Sequence, residues 1–275
     1  MSSPRAPAPP SVARPASRPV ALVTGGARRI GRAIALELAA AGWDIALHCH
    51  RSRSEAEATA AELAQAGARA EVFAANLADG ADLEALVPAV LLRLGRLDAL
   101  VNNASLFEYD DVAGFTLAAM ERHWRANTAP AVLLARALHE HLVQRQAHGA
   151  VVNLLDQKLA NPNPDYFSYT LSKAALQSAT VMLAQALAPV LRVNAVSPGV
   201  TLLSGPMSGD EFQAAHRMTP LARSSTPEDI AGAVRYLLQS PAITGHNLLV
   251  DGGQHLWGQP RDVLFLAQAQ STAPT

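Results

Sequence analysis

The chain has 275 residues, with 22 Lys and Arg against 23 Asp and Glu, a formal net charge of −1. That length suits a single α/β domain with a sizeable core, and the balanced charge excludes the broad basic field that draws nucleic acid or an anionic membrane, so the expected partner is a small molecule. The single cysteine, Cys49, excludes an intrachain disulfide, no run approaches the roughly 18 to 20 apolar residues of a membrane span, and the chain reads as cytoplasmic.

Residues 1–18 carry arginines, serines and five prolines but no acid. Transit peptides share that bias, yet the prolines prevent the amphipathic helix such a signal needs, so a disordered tail is expected. From 19 to 257, fully apolar runs alternate with segments of helical period, the order that βαβ units produce. The expected strands are VALV (20–23), DIALHC (44–49), AEVFAA (70–75), LDALVNNA (97–104), AVVNLL (150–155), LRVNAVSPG (191–199) and NLLVDGG (247–253). Helices are expected over 29–42 and about 55–65, and another enters at Thr226-Pro227-Glu228. Apolar runs without alternation belong to a parallel sheet covered on both faces. The fold class is therefore α/β, a doubly wound parallel sheet of about seven strands. The stretch 200–222, with its glycines, prolines and methionines, breaks the rhythm and reads as a mobile lid at the strand ends, where such sheets bind ligands. Residues 258–275 read as a loose tail whose VLFLA (263–267) is suited to dock on a neighbouring subunit.

The chemistry is expected along those strand ends. TGGARRIG (24–31) joins the first strand to the first helix, where backbone N–H groups and the helix dipole hold a pyrophosphate; Gly25, Arg28, Arg29, Ile30 and Gly31 are the candidate contacts. Arg29 stands where many related loops have a third glycine, and its guanidinium is placed to reach phosphate or a substrate oxygen. The second strand ends in HCHRSR (48–53), with Arg51 twenty residues after Gly31 (51 − 31 = 20), near where an NAD enzyme places an acid. Here Arg51 and Ser52, helped by His50, offer charge-assisted bonds to a 2′-phosphate, so the expected cofactor is NADPH. His48 and His50 lack a third ligand, and no metal is expected. Asn103, Ala104 and Ser105 end the fourth strand beside the cofactor, and Phe107 offers a flat face to a flat ligand or else packs as a core aromatic. Tyr169 and Lys173, four apart on one helix face, suit proton transfer, with the lysine charge expected to lower the phenol pKa toward neutrality.

Together these residues resemble the short-chain dehydrogenase/reductase family over roughly 19 to 257, and within it the pteridine reductases, including bacterial dihydromonapterin and dihydrofolate reductases. The carrying motifs are TGGARRIG, HCHRS, NNASLF, NLLD, YTLSK, SPG (197–199) and DGGQHL. The resemblance implies a Rossmann-type reductase, a homotetramer, a pterin or folate substrate, and cofactor contacts at Asn76, Leu77, Pro198 and Gly199 as well as Lys173. Asn76 stands where the family usually has an aspartate, and Asn127 fits the asparagine that orders a water near the lysine. Substrate contacts are expected at Arg29, Ser105, Phe107, Asp156 and Tyr169.

Asp156 is the telling residue. Most of the family carries a serine there, whose hydroxyl donates to a ketone oxygen. An ionised aspartate cannot donate and repels a developing alkoxide. A pterin instead presents N–H donors and a C=N bond whose nitrogen gains a proton as its carbon gains hydride. Asp156, Tyr169 and Lys173 are therefore the expected catalytic group, against a reading of Asp156 as a carboxylate capping the amides of Gln157 or Lys158. The competing functions are a carbonyl reductase acting on acyl or steroid-like ketones, which Asp156 disfavours, and a non-catalytic NADP(H) sensor, which has no need of Tyr169 and Lys173.

Overall fold

The protein, seen in a computed structural model, is described over residues 18–203 and 207–272, with side chains through 269. The first strand, β1 (Val20–Val23), is wholly buried, and α1 (Arg29–Ala40), β2 (Asp44–Cys49), α2 (Arg53–Gln65) and β3 (Ala70–Ala74) complete the first half. The second half runs α3 (Gly80–Leu94), β4 (Ala99–Asn102), α4 (Leu117–His123), a π-helical turn at Trp124–Thr128, α5 (Ala129–Arg145), β5 (Gly149–Leu154) and α6 (Phe167–Ala186). It closes with β6 (Leu191–Pro198), α7 (Gly209–Arg217), α8 (Pro227–Gln239), β7 (Asn247–Val250) and α9 (Val263–Thr272).

Seven parallel strands form one sheet in the order β3-β2-β1-β4-β5-β6-β7. The chain leaves β1 for β2 on one side and reaches β4 on the other, so the loops after β1 and β4 part and leave a crevice at their carboxyl ends. Both faces of the central strands are covered, which is why Val20–Val23 and Ala99–Val101 are apolar throughout. α1 packs with α8 on one face, and α3 packs with α5 on the other.

The polar chain ends of the helices carry their own instructions. The Asp79 carboxylate accepts from the amides of Ala81 and Asp82 to start α3, and Gly95, at φ 80°, ends it. Thr226 and Asp229 form a reciprocal capping box at α8. A second box, between Ser208 and Glu211, starts α7 inside the stretch expected to be a loop, so 200–222 contains a nine-residue helix.

Both expected tails need correction at their inner ends. Residues 1–17 lie outside the described residues, but Arg18 belongs to the domain: its guanidinium donates to the carbonyls of Ala39 (2.9 Å) and Gly42 (3.0 Å). At the other end the chain is not loose through 272. α9 packs against α7 within the same chain, and Val263, Leu264 and Ala267 are buried. Its start is held by polar contacts. Arg261 forks onto the buried Asp165 carboxylate at 2.8–3.0 Å, and the Asp262 amide donates to the same group at 2.7 Å. Lys158, also buried, donates to the Asp165 carbonyl at 2.6 Å and pairs with Asp262 at 3.4 Å.

Removing a buried, paired carboxylate costs on the order of 3 to 5 kcal/mol because it strands the partners. Asp165→Ala should therefore lower the melting temperature by roughly 6 to 20 °C, at about 2–4 °C per kcal/mol for a domain of this size. Limited proteolysis should then cut residues 258–272 before any other segment; unchanged melting and an unchanged cleavage pattern would show that the C-terminal segment is held by apolar packing alone.

Candidate active site

The crevice opens into a cleft of about 640 Å³ at the strand ends. Its first wall is the turn after β1. Gly25 sits at φ 61°, in the left-handed region, and a side chain at Gly31 would collide with the Gly25 carbonyl and the Asn103 amide. Those two glycines let α1 present its free N–H groups to the cleft. Arg29 also sits at φ 56°, which explains why related loops place glycine there, and its guanidinium donates to the Leu203 carbonyl at 2.8 Å. Arg28, Arg29 and Arg51 are exposed at this end, with Ser52 between the two loops; with Ile30 and His50, all line the cleft.

Two side chains fix the turn from behind. The Asn103 amide donates to the carbonyls of Thr24 (2.9 Å) and Gly25 (3.1 Å), while the Thr24 hydroxyl accepts from the amides of Asn103 and Ala104. His48, weighed in the sequence only as a metal ligand, lies buried under the loop. Its Nδ1 accepts from the Gly25 amide at 3.1 Å and its Nε2 faces the Ala75 carbonyl at 3.1 Å, so the ring carries its proton on Nε2. Burial lowers its pKa to about 4, keeping it neutral in that role. No cluster of potential metal ligands occurs among the described residues.

The reacting end is built by β5, the turn after it and α6. The Tyr169 hydroxyl donates to Asp156 Oδ2 at 2.9 Å, and Asp156 Oδ1 accepts from the Lys158 amide at 2.8 Å. The aspartate is thus both a partner of the tyrosine and the cap of the turn Gln157–Ala160, so the two readings of it were not exclusive. One helical turn beyond Tyr169, Lys173 donates to the Leu154 carbonyl at 2.7 Å, with its Nζ 5.8 Å from the centre of the tyrosine ring. Asn127, on the π-helical turn, spends its amide donors on the Leu106 carbonyl (3.0 Å) and the Ser172 hydroxyl (2.9 Å), so it ties the Ser105 loop to α6 instead of holding a free donor toward a water. π-helical turns recur at functional sites.

Burial governs the proton affinities here. It raises the Asp156 carboxyl above the ordinary carboxylate range, against the pull of its two hydrogen bonds. It also raises the Tyr169 phenol well above its usual value, and the Asp156 carboxylate adds to that effect. The expectation that Lys173 would bring the phenol toward neutrality is overturned, because the nearest charge to the hydroxyl is the aspartate and not the ammonium. Lys173 itself is lowered by burial to about 8, with Asp156 opposing. In this arrangement the proton between the two groups sits on Tyr169, which donates it to Asp156.

Phe107 is 42 % exposed at the cleft, which excludes the core reading. One of its faces is taken: Tyr166 stacks on it at 4.2 Å and 14°, and the Tyr169 ring meets it edge-on at 4.7 Å. Tyr166 is held at φ 53°, and Lys158 lies 5.4 Å from its ring centre. Sequence reasoning missed Tyr166 and Lys158 as wall residues, and it missed Gln259, Asp262, Val263 and Leu264, which bring the C-terminal segment to the cleft. Ser105, Pro198 and Gly199 line it as expected. Asn76 and Leu77 are not brought there: Asn76 Oδ1 caps the Ala78 amide at 3.2 Å and Leu77 packs in the core.

With that geometry in view, comparison with known proteins is specific. The enoyl-(acyl carrier protein) reductase family matches residues 25–255. The chain is 35 % identical over 245 residues to the granaticin polyketide synthase putative ketoacyl reductase 2 of Streptomyces violaceoruber, covering 86 % of this chain and 96 % of that one. It is 32 % identical to the 3-oxoacyl-[acyl-carrier-protein] reductase of Synechocystis, with 85 % and 96 % covered. Among solved structures it is similar to the FolM alternative dihydrofolate reductase 1 of Brucella canis complexed with NADP, at 42 % identity and a TM-score of 0.82, covering 89 % of this chain and 97 % of that one. The family model covers most of the chain, and the relatives are more than 30 % identical over most of it: the chain belongs to the short-chain dehydrogenase/reductase family.

Proposed function

We propose that the protein is an NADPH-dependent pteridine reductase, reducing the C=N bond of a dihydropterin or dihydrofolate. The carrying observation is the hydrogen bond from Tyr169 to Asp156, a carboxylate where a ketone reductase needs a hydroxyl. The similarity to the NADP-bound alternative dihydrofolate reductase supports both cofactor and substrate. The residues fit a dinucleotide, since the bare backbone at Gly25 and Gly31 leaves room for a pyrophosphate at the start of α1, and exposed Arg51 with Ser52 suits a 2′-phosphate. Bound NADPH supplies the hydride that goes to the ring carbon. Tyr169 gives its proton to the ring nitrogen as that carbon is reduced, and Asp156, 2.9 Å behind it, serves as the relay through which the phenolate is re-protonated. Lys173, whose Nζ is bonded to the Leu154 carbonyl, would hold the cofactor ribose. Phe107 stacks the flat ring on its free face. The assembly we propose is a homotetramer, supported by the apolar side chains of Leu171, Val181 and Met182 exposed along α6.

A second reading, reduction of a ketoacyl group, is favoured by what the similar ketoacyl reductases are named for. NADPH consumption measured across dihydropterin, dihydrofolate and ketone substrates separates the two. Dihydropterin turnover with no ketone turnover supports the first; the opposite pattern discards it. Asp156→Ser should lower dihydropterin turnover by about a hundredfold or more, the usual scale of general acid–base catalysis, whereas parent-like turnover would reduce Asp156 to a turn cap. Because that change also removes the cap, Asp156→Asn, which keeps an oxygen for the Lys158 amide, should lose activity without losing melting temperature.

Cofactor choice and pH dependence follow from the same geometry. Arg51→Asp should reverse the preference for NADPH over NADH, with a change of about ten- to hundredfold in relative affinity, the scale of one charge-assisted hydrogen bond; equal use of both cofactors by the unmodified chain would refute the assignment. Lys173 is charged below about 8 and neutral above it, so kcat/KM, which reports the free enzyme, should fall as pH rises through about 8. A profile flat from pH 7 to about 10 would show that the lysine charge is not needed.

A further inference from the structure

Gln254 is a buried amide without a partner. It opens the short turn Gln254–Leu256 after β7, is 2 % exposed, and lines the cleft. Among the described residues its side chain makes no hydrogen bond, and its Oε1 is shielded from solvent. Such a group is disfavoured unless something brings it a partner. The polar groups around it are already committed. Asp251 Oδ1 accepts from the Gly253 amide at 3.0 Å, and its Oδ2 takes the His255 amide and ring at 2.8 Å.

The turn is well placed for substrate. It packs against Gln157–Ala160, the turn that begins at Asp156, and the Asn161 side chain donates to the His255 carbonyl. Gln254 therefore lines the same cleft as Asp156, Gln259 and Asp262, from a turn that packs on the one after Asp156.

We propose that Gln254 is a specificity-determining residue that hydrogen-bonds a neutral polar arm, a hydroxyl or an amide, extending from the reduced ring past Asp156. This rests on the pteridine-reductase reading and adds which substrates within that class are preferred. A primary amide both donates and accepts, so it matches a hydroxyl or a secondary amide. A carboxylate arm finds no such match, because Lys158, the cation of this wall, is bonded to the Asp165 carbonyl and paired with Asp262.

The test compares a 7,8-dihydropterin bearing a hydroxylated side chain with its 6-methyl analogue, which lacks the arm. In the unmodified chain the hydroxylated substrate should have a KM about tenfold lower, the scale of one neutral hydrogen bond to a buried group. Gln254→Leu should bring that ratio close to one by raising the KM of the hydroxylated substrate, with a smaller effect on kcat. If Gln254→Leu does not fold, Gln254→Met, similar in length and without the amide's donor and acceptor, replaces it and should likewise reduce the ratio. Thermal stabilisation of the unmodified NADPH-bound protein by each ligand gives the same comparison without a variant, with the larger shift expected from the hydroxylated ligand. A ratio kept in the variants, or equal KM values and equal shifts in the parent, overturns the inference alone. A parent that reduces neither dihydropterin overturns the pteridine-reductase reading and this inference with it.

Discussion

The hydrogen bond between Tyr169 and Asp156 organises this protein because it joins two acids in a place that disfavours charge on either. At 2.9 Å the phenol and the carboxyl share one line of proton transfer. Burial raises both proton affinities, so neither group readily carries a charge there. The bond constrains the backbone as well. With Oδ2 committed to Tyr169 and Oδ1 to the Lys158 amide, the carboxyl plane is fixed, and the turn after β5 is fixed with it. The same turn then carries Lys158 toward Asp165 and Asp262, so Asp156 and the C-terminal wall share one support.

The wall explains why the chain continues after β7. The doubly wound sheet is finished at Val250, yet the segment from 259 to 264 returns to the cleft. It is held there by Arg261 and Asp262 on Asp165, and by the burial of Val263 and Leu264. Tyr109 links this segment to the aromatic group, meeting Tyr166 edge-on at 5.2 Å and Phe265 at 5.5 Å. Phe107 is therefore backed by a stack of rings rather than by solvent, which fixes its free face for a flat ligand at little cost in side-chain entropy.

Most of the architecture was legible in the sequence because a buried parallel strand has to be apolar on both faces. β1 and β2 begin and end where the runs VALV and DIALHC do. The placing of Tyr169 and Lys173 on one helix face and of the glycine turn was legible for a similar reason: their spacing is local, and the helix or turn they sit on follows from neighbours within a few positions. What was missed depends on distance along the chain. Asp165 and Arg261 are 96 residues apart, Lys158 and Asp262 are 104, and no local pattern ties them. Without those pairs the C-terminal run reads as a loose tail with an apolar stretch free to dock elsewhere, whereas α9 buries Val263, Leu264 and Ala267 within the same chain. α7 is a different case, since Ser208 and Glu211 stand at capping-box spacing and were overlooked among glycines and prolines. The neutral His48 under the Gly25 turn was hidden because its partner, Ala75, contributes a carbonyl that carries no sequence signal.

Charge is distributed along the cleft in two ways that serve two tasks. Arg28, Arg29 and Arg51 stand exposed at one end, where a full charge in water attracts phosphate yet costs little to keep. At the other end the ionisable groups are buried, and each is judged by which form it can hold. Lys173 is pulled down to about 8, and Tyr166 is pushed up to about 12 by burial and by the carboxylates of Asp262 and Asp165. After burial and its two hydrogen bonds, Asp262 also acts on Asp156, raising its proton affinity as a like charge. The C-terminal segment thus does more than close the wall. By placing one more carboxylate near Asp156 and Tyr169, it favours the protonated form of each.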